Sequence, residues 1–265
     1  MSQSAASGAL QDLERRYDTQ LFDRVGKRLQ LNSHGATLQP LAEALLSQAA
    51  EVENALLQRR VSGALTIGAT LTIGNYLAIS IVAQFKRDYP AIDLRLHVAN
   101  TAQISREVLN FDLDIGLIEG EYAHPDLQVT PWRDDELVVF CAPSHPLAGR
   151  AVLSDSDLLA ARWILREPGS GTRQTFDRAM QGLLVSLQVH LQLEHTEAIK
   201  RAVQAGMGIG CLSKIALTDA FARGDLLPLA VPQRDMRRMF YFVTHRDKHH
   251  TQNLRQWIAA CRASG

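Results

Sequence analysis

Net charge is missing from this sequence: its 265 residues carry 28 Lys and Arg against 28 Asp and Glu. So balanced a chain has no basic tail to coat nucleic acid nonspecifically, although a small local DNA-reading surface stays open to it. Cysteine is scarce. Cys141, Cys211 and Cys261 stand far apart with no CxxC pair, which argues against a zinc knuckle and a disulfide scaffold. Reduced thiols in a cytoplasmic protein are the simpler expectation. No apolar run approaches ~18 residues, so no membrane-spanning helix is expected. The opening MSQSAASGALQDLERR lacks the apolar stretch of a secretory signal peptide. There is no internal repeat and no low-complexity tract. With 46% hydrophobic and 21% charged residues, the composition is that of an ordinary soluble globular protein, long enough for one large core or two modest ones.

Three zones follow one another. Residues 1 to about 35 read as a polar helix and then a hairpin. Residues 36–62 hold one long amphipathic helix, Ala36 to Leu57, and a linker. Leu38, Leu41, Leu45, Ala49, Val52 and Leu56 recur at spacings of three and four, the seam of a pairing helix, with Glu43, Gln48, Glu51 and Glu53 off it. Such a helix reaches about 33 Å at 1.5 Å per residue. From Gly63 onward, short apolar runs alternate with helical patterns. Strands are expected at 64–68, 93–98, 113–118, 136–142, 163–165, 188–193, 208–212 and 239–244. Helices are expected through Leu77, Ile81 and Phe85, after Thr101, after Ser154, and at 172–184, 197–205 and 251–261. Alternating β and α elements imply parallel or mixed sheets covered by helices, here in two lobes with a cleft between them.

Ser2, Gln3, Ser4 and Ser7 sit at the start of the first helix, where small polar side chains can approach base edges and phosphates. In LFDRVGKRLQLNSHG, Lys27 and Arg28 form a basic hairpin tip beside that helix, as in a winged helix-turn-helix whose wing grips the DNA backbone.

Two segments have the form of anion cradles. Ala69–Asn75 runs from a strand into a helix N-terminus, where free amides and the helix dipole favour negative charge, and Thr70 and Thr72 add hydroxyls. Thr72 could equally serve only as a cap. Arg166–Arg173 is again strand, Gly-rich turn and helix, flanked by two arginines. It is not a P-loop, because GxxxxGK[ST] is absent.

The segments SQSAxS..LxxLE, LFDRVGKRLQLNSHG, FKRDYP, LDIGLIEG, ELVVF with PSHPL, and EAIKRAVQAGMGIGCL, in this order, make the chain resemble the LysR-type transcriptional regulators over essentially all 265 residues. The resemblance implies a partial winged helix-turn-helix over 1–35, a dimerising helix over 36–62, and an α/β effector domain over 63–265. That domain would be two-lobed and periplasmic-binding-protein-like, its lobes being 63–142 with 244–265, and 143–243. Family members carry about 20 residues before the SQS segment. Without their partner helices, this chain is expected to bind operator DNA poorly. The family's effector cleft maps here to Thr70, Thr72, Asn100, Thr101, Glu119, Ser170 and Thr172, with Arg166 beside them. The Thr-x-Thr pair is similar to the sulfate-binding pattern of the sulfur-assimilation regulators, so sulfate or sulfite is the first candidate effector. Glu119 would repel a dianion unless one of the two is protonated or Arg166 intervenes.

The resulting expectation is a cytoplasmic, homodimeric or homotetrameric regulator that couples an anionic small-molecule effector to operator DNA, with no cofactor, metal or membrane. A stand-alone solute-binding protein is the alternative. An enzyme finds no support: no GxSxG elbow accompanies Ser170, and His245–His250 has no metal or kinase context. Cys211, Trp132, Trp163 and Trp257 read as packing residues.

Overall fold

The computed structural model describes residues 3–25, 28–56 and 63–264. Ser2, Lys27, Leu57 and the linker to Ser62 lie outside these residues, as do the side chains of Gln3, Ser4, Arg28 and Leu56. Contacts divide the chain into two units, 1–60 with 247–251, and 61–246 with 252–265.

In the first unit α1 (Gln3–Tyr17) precedes a hairpin of β1 (Phe22–Val25) and β2 (Arg28–Leu31), with Phe22 opposite Leu31. Glu14 accepts from the Leu21 amide at 2.7 Å and ties helix to hairpin. The long helix α2 (Ser33–Leu56) starts three residues before the expected Ala36. Asn32 sets that start. Its side chain accepts from the Gly35 amide at 2.9 Å, as an N-cap does. Leu38, Leu41, Leu45, Ala49 and Val52 are all exposed along α2, Leu45 to 68%. The apolar seam is therefore uncovered.

The second unit opens with β3 (Gly63–Thr70) and α3 (Leu71–Ile73). A π-turn over Gly74–Ala78 joins α3 to α4 (Ile79–Asp88). There follow β4 (Ile92–Ala99), α5 (Thr101–Leu109), β5 (Ile115–Glu119) and β6 (Leu127–Cys141). Next come α6 (Asp155–Ala160), β7 (Arg162–Arg166), α7 (Gly171–Ala179), β8 (Gln188–Leu193) and α8 (Thr196–Gln204). The chain closes with β9 (Ile209–Ser213), α9 (Lys214–Arg223), β10 (Leu227–Leu229), β11 (Arg237–His245) and α10 (Gln252–Ala263).

The strands run in the order β4-β3-β5-β11-β6-β9-β7-β8, with β10 also on β6. Pairs β3·β4, β3·β5, β7·β8 and β7·β9 are parallel, each reached through a helical crossover. Strands β6 and β11 are antiparallel to each other and carry the chain between the two halves. Pairing groups residues differently from the limits expected at 142/143 and 243/244. Arg237–His245 pairs with β5 and with 127–136 of β6, in the first half. Residues 137–141 of β6 pair with β9 and β10, in the second.

Each half buries both faces of its sheet. In the first, Phe85 of α4 and Trp257 of α10 pack with Ile67, Ile73 and Phe242, while Ile104 and Val108 of α5 pack with Ile118. In the second, Val139, Cys141, Trp163, Phe176 and Cys211 lie under α7, and Phe140, Ile164, Ile199 and Leu217 lie under α8 and α9. The capping box at Ser154 forms as expected. Three expectations change. The strand expected at 136–142 is the end of a longer one, whose earlier residues interleave Gln128, Thr130, Arg133 and Asp134 with apolar ones and so break the apolar run. The helix expected to reach Leu184 ends at Ala179. Helix α9 and strand β10 were not anticipated, although Ser213 at the cap and Gly224 at φ 72° bracket α9 in the sequence.

Phe85 is fully buried, 4.8 Å from Tyr89 and 5.3 Å edge-on to Trp257 between ring centroids. Phe85→Ala should therefore cost about 3–5 kcal/mol in urea unfolding of the effector unit; a loss below about 1 kcal/mol would show that this core collapses around the gap.

Candidate functional site

Glu119 is the last residue of β5, and its side chain is 2% exposed. Oε1 accepts from the Thr72 amide at 2.7 Å, in the first turn of α3. Oε2 accepts from the Thr172 hydroxyl at 2.9 Å, in the first turn of α7, and from Nη1 of Arg238 at 2.9 Å. The same Nη1 donates to Thr172 at 3.0 Å. Nε of Arg238 donates at 2.7 Å to Asp135, whose other oxygen accepts from Ser213 at 2.8 Å. Helix N-termini from both halves thus converge on one carboxylate, each favouring negative charge.

Burial alone would raise the pKa of Glu119. The Arg238 and Arg166 guanidiniums and the Thr172 hydroxyl outweigh burial and bring it down to about 2. The carboxylate is ionised, and the partner that permits this is chiefly Arg238 rather than the expected Arg166.

The other expected residues fall around this centre. Thr70 is the residue before α3. Its hydroxyl makes no cap and reaches the Leu117 carbonyl at 3.4 Å. Thr72 is no cap either, since it lies inside the helix. Asn100, not Thr101, caps α5, accepting from the Gln103 amide at 3.0 Å. The Thr101 hydroxyl instead donates to the Glu119 carbonyl at 2.9 Å and accepts from the Gly171 amide at 3.1 Å, stitching one half to the other. A second stitch runs from the Ala102 amide to the Gly169 carbonyl at 3.1 Å. Arg166 is buried but turned onto Glu167, in two bonds of 2.7 and 2.8 Å. Glu167 also accepts from the Asn100 side chain at 3.3 Å. Ser170 caps α7, accepting from the Arg173 amide at 3.5 Å.

Gly171 has no substitute. A Cβ there would lie 1.7 Å from the Glu119 carbonyl oxygen. A cavity of about 360 Å³ opens beside the stitched contact, lined from both halves by Thr101, Glu121, Ser170 and Arg173 among others. A groove of about 850 Å³ lies elsewhere in the second half, between Phe221, Leu229 and Met236, and includes none of these side chains.

Arg238, Asp135 and Ser213 escaped the sequence reading, though a signal was present. Arg238 alternates in phase with the buried Phe240 and Phe242, and Asp135 with the buried Leu137 and Val139. A charge on the buried phase of a strand needs a buried partner.

Residues 58–265 match the family model described as LysR substrate binding domain, and residues 1–36 match bacterial regulatory helix-turn-helix protein, lysR family. The chain belongs to the LysR family of transcriptional regulators. This LysR-type regulator is 44% identical over 261 residues to the uncharacterized HTH-type transcriptional regulator YeiE of Escherichia coli (strain K12), covering 98% of this chain and 88% of YeiE. It is 29% identical over 266 residues to the HTH-type transcriptional regulator CysL of Bacillus subtilis (strain 168), covering 100% of this chain and 89% of CysL. Among solved structures, the Synechocystis PCC6803 CcmR regulatory domain in complex with 2-PG superposes with a TM-score of 0.70 at 30% identity, covering 76% of this chain and 97% of that one. The relatives are transcriptional regulators, so the α/β unit is a two-lobed, periplasmic-binding-protein-like effector domain that binds a ligand rather than turning one over. Among the described residues no helix is long and apolar enough to cross a membrane.

Two outcomes test this geometry. The pKa of Glu119 falls from an ordinary 4.5 to about 2 on folding. Its stabilisation is therefore fully present above pH 4.5 and is lost as the pH falls toward 2, roughly 3 kcal/mol in all. The urea-unfolding gap between wild type and Glu119→Gln should accordingly be widest at neutral pH and narrow between about pH 5 and 3; a gap independent of pH would contradict the shift. Gly171→Ala should cost several kcal/mol or block the contact between halves, whereas Gly149→Ala, with nothing within 4 Å of its Cβ, should leave the melting temperature in place.

Proposed function

We propose that this LysR-type regulator senses a small oxyanion that takes the place of the Glu119 carboxylate, a sulfur oxyanion such as sulfate or sulfite being the first candidate. The observation that carries this reading is the convergence of the Thr72 amide, the Thr172 hydroxyl and Arg238 on one carboxylate. Those groups present hydrogen-bond donors and one positive charge to whatever anion lies between the helix starts. A tetrahedral or pyramidal oxyanion offers the same acceptor oxygens. The repulsion between Glu119 and an anion, expected from the sequence, then becomes the switch: the two compete for one cradle. The 2-PG complex of the CcmR regulatory domain supports a small-molecule effector in a fold of this kind.

Displacing Glu119 would loosen Arg238 and Thr172 and alter how the lobes meet. That change would pass to DNA through the way copies pair, limited by the effector's differential affinity for the two arrangements. The exposed seam of Leu38, Leu41, Leu45, Ala49 and Val52 supports α2 as the pairing helix. Ser7 is exposed on α1, and Arg28 lies in β2 of the hairpin, both placements consistent with a DNA-facing role. A protein that works on operator DNA does so in the cytoplasm.

A thermal-shift panel at matched ionic strength tests the effector: sulfate, sulfite, thiosulfate, phosphate, nitrate, and aromatic and amino acids. At one hundred times Kd a bound anion adds about 2.7 kcal/mol of stability. A rise confined to sulfur oxyanions is the expected result; a rise only with an organic acid would overturn the oxyanion assignment. Leu45→Asp should break the pairing seam, and a dimer that persists at low micromolar concentration would remove α2 from that role.

A further inference from the structure

A second group of side chains joins the two halves away from Glu119. Between α3 and α4 the backbone winds into the π-turn Gly74–Ala78. Such turns are rare and concentrate at functional segments. This one leaves Tyr76 half-buried, with its hydroxyl donating to Oε1 of Glu197, the second residue of α8 in the other half. Lys200, one turn further along α8, donates to the same oxygen at 2.7 Å. Its ammonium also stands 5.6 Å from the centroid of the Tyr76 ring, within reach of the ring face. One carboxylate oxygen therefore collects a phenol and an ammonium, and the phenol ring meets the same ammonium.

The body of α8 is anchored by the buried Ile199 and Val203, but its first turn has no side-chain cap. His195, before that turn, makes no side-chain cap, and the buried hydroxyl of Thr196 has no hydrogen-bond partner among the described residues. Asn100, Ser154, Ser170 and Ser213, by contrast, cap α5, α6, α7 and α9 from within. Burial pushes the Tyr76 phenol up, and its bond to Glu197 pushes it further, so the proton stays on the tyrosine. Burial would raise Glu197 too, but its bonds to Lys200 and Tyr76 prevail and hold it below the usual carboxylate range.

We propose that Tyr76, Glu197 and Lys200 form a latch between the lobes, positioning the start of α8 against the π-turn and holding the domain closed. The latch requires only the two-lobed fold and stands whether or not the effector is an oxyanion. It makes closure depend on a contact away from the cradle, so that effector binding and lobe opening can be tuned separately. The Tyr76 hydroxyl is the keystone, because of these three residues Tyr76 is the one from the first half.

Amide hydrogen exchange of the full chain, without added ligand, tests this. The amides of Ala102 and Gly171 donate across the halves, to Gly169 and to Thr101, and so report opening. Tyr76→Phe keeps the ring beneath Lys200 and removes only the hydroxyl. It should speed exchange in the peptides holding Ala102 and Gly171 by about threefold or more, while peptides from the interiors of β3 and β5 keep their rates. Glu197→Gln acts on a side chain that is 58% exposed and should keep the fold while giving the same local effect. The double variant should add little to either single one, because both remove one bond. Exchange at Ala102 and Gly171 within twofold of wild type in both single variants would overturn the latch. So would equal acceleration of all peptides, which would mean a loss of general stability instead.

Discussion

The bond between Arg238 and Glu119 joins two side chains that are 1% and 2% exposed. Removing Arg238 would strand two carboxylates, Glu119 and Asp135, in the protein interior, a cost of several kcal/mol. Each therefore constrains everything that positions its partner. Arg238 sits on β11, Glu119 on β5, and Asp135, the second carboxylate on Arg238, on β6. The three strands must keep their register for the charges to meet. The starts of α3 and α7 must meet there as well, because Thr72 and Thr172 complete the shell of the carboxylate. Gly171 lets α7 come that close. Much of the architecture around the cleft follows from the need to satisfy one buried carboxylate.

This arrangement bears on how an effector could act. A side chain tethered beside its own binding site competes at high effective concentration. On the proposed reading, an anion entering the cradle would have to displace Glu119, so its apparent affinity would be lower than the bare cradle would give, and the occupied and self-occupied forms would be alternatives. Such a sensor would respond above a threshold rather than to traces. The competitor belongs to one half, while Thr172 and Ser213 belong to the other, so replacing it also changes what joins the lobes. Strands β6 and β11 pass between the halves and carry Asp135 and Arg238.

Much of this was legible in the residues. Strand β8 has the expected limits, and Gly-rich 166–173 does form the strand, turn and helix start that meet the first half. Glu119 was recognised as the discordant member of the cleft. What the residues hid was long-range pairing. Nothing local ties Arg238 to a carboxylate 119 positions away. Its trace is its place on the buried phase of the strand, in line with Phe240 and Phe242. Local propensity lets either Asn100 or Thr101 cap α5, and tertiary contact of Thr101 with Glu119 and Gly171 leaves the cap to Asn100. The first half of β6, where polar and apolar residues mix, shows no strand pattern of its own and is held extended by its partner β11.

If the protein's own carboxylate stands in for the effector, a crystal structure of the chain with sulfite, and separately with sulfate, at neutral pH will show it. An oxyanion oxygen should replace Glu119 on the Thr72 amide and the Thr172 hydroxyl, with Glu119 withdrawn and Arg238 turned to the anion. An anion bound in the cleft while the 2.7 Å bond from Thr72 to Glu119 stays intact would contradict it.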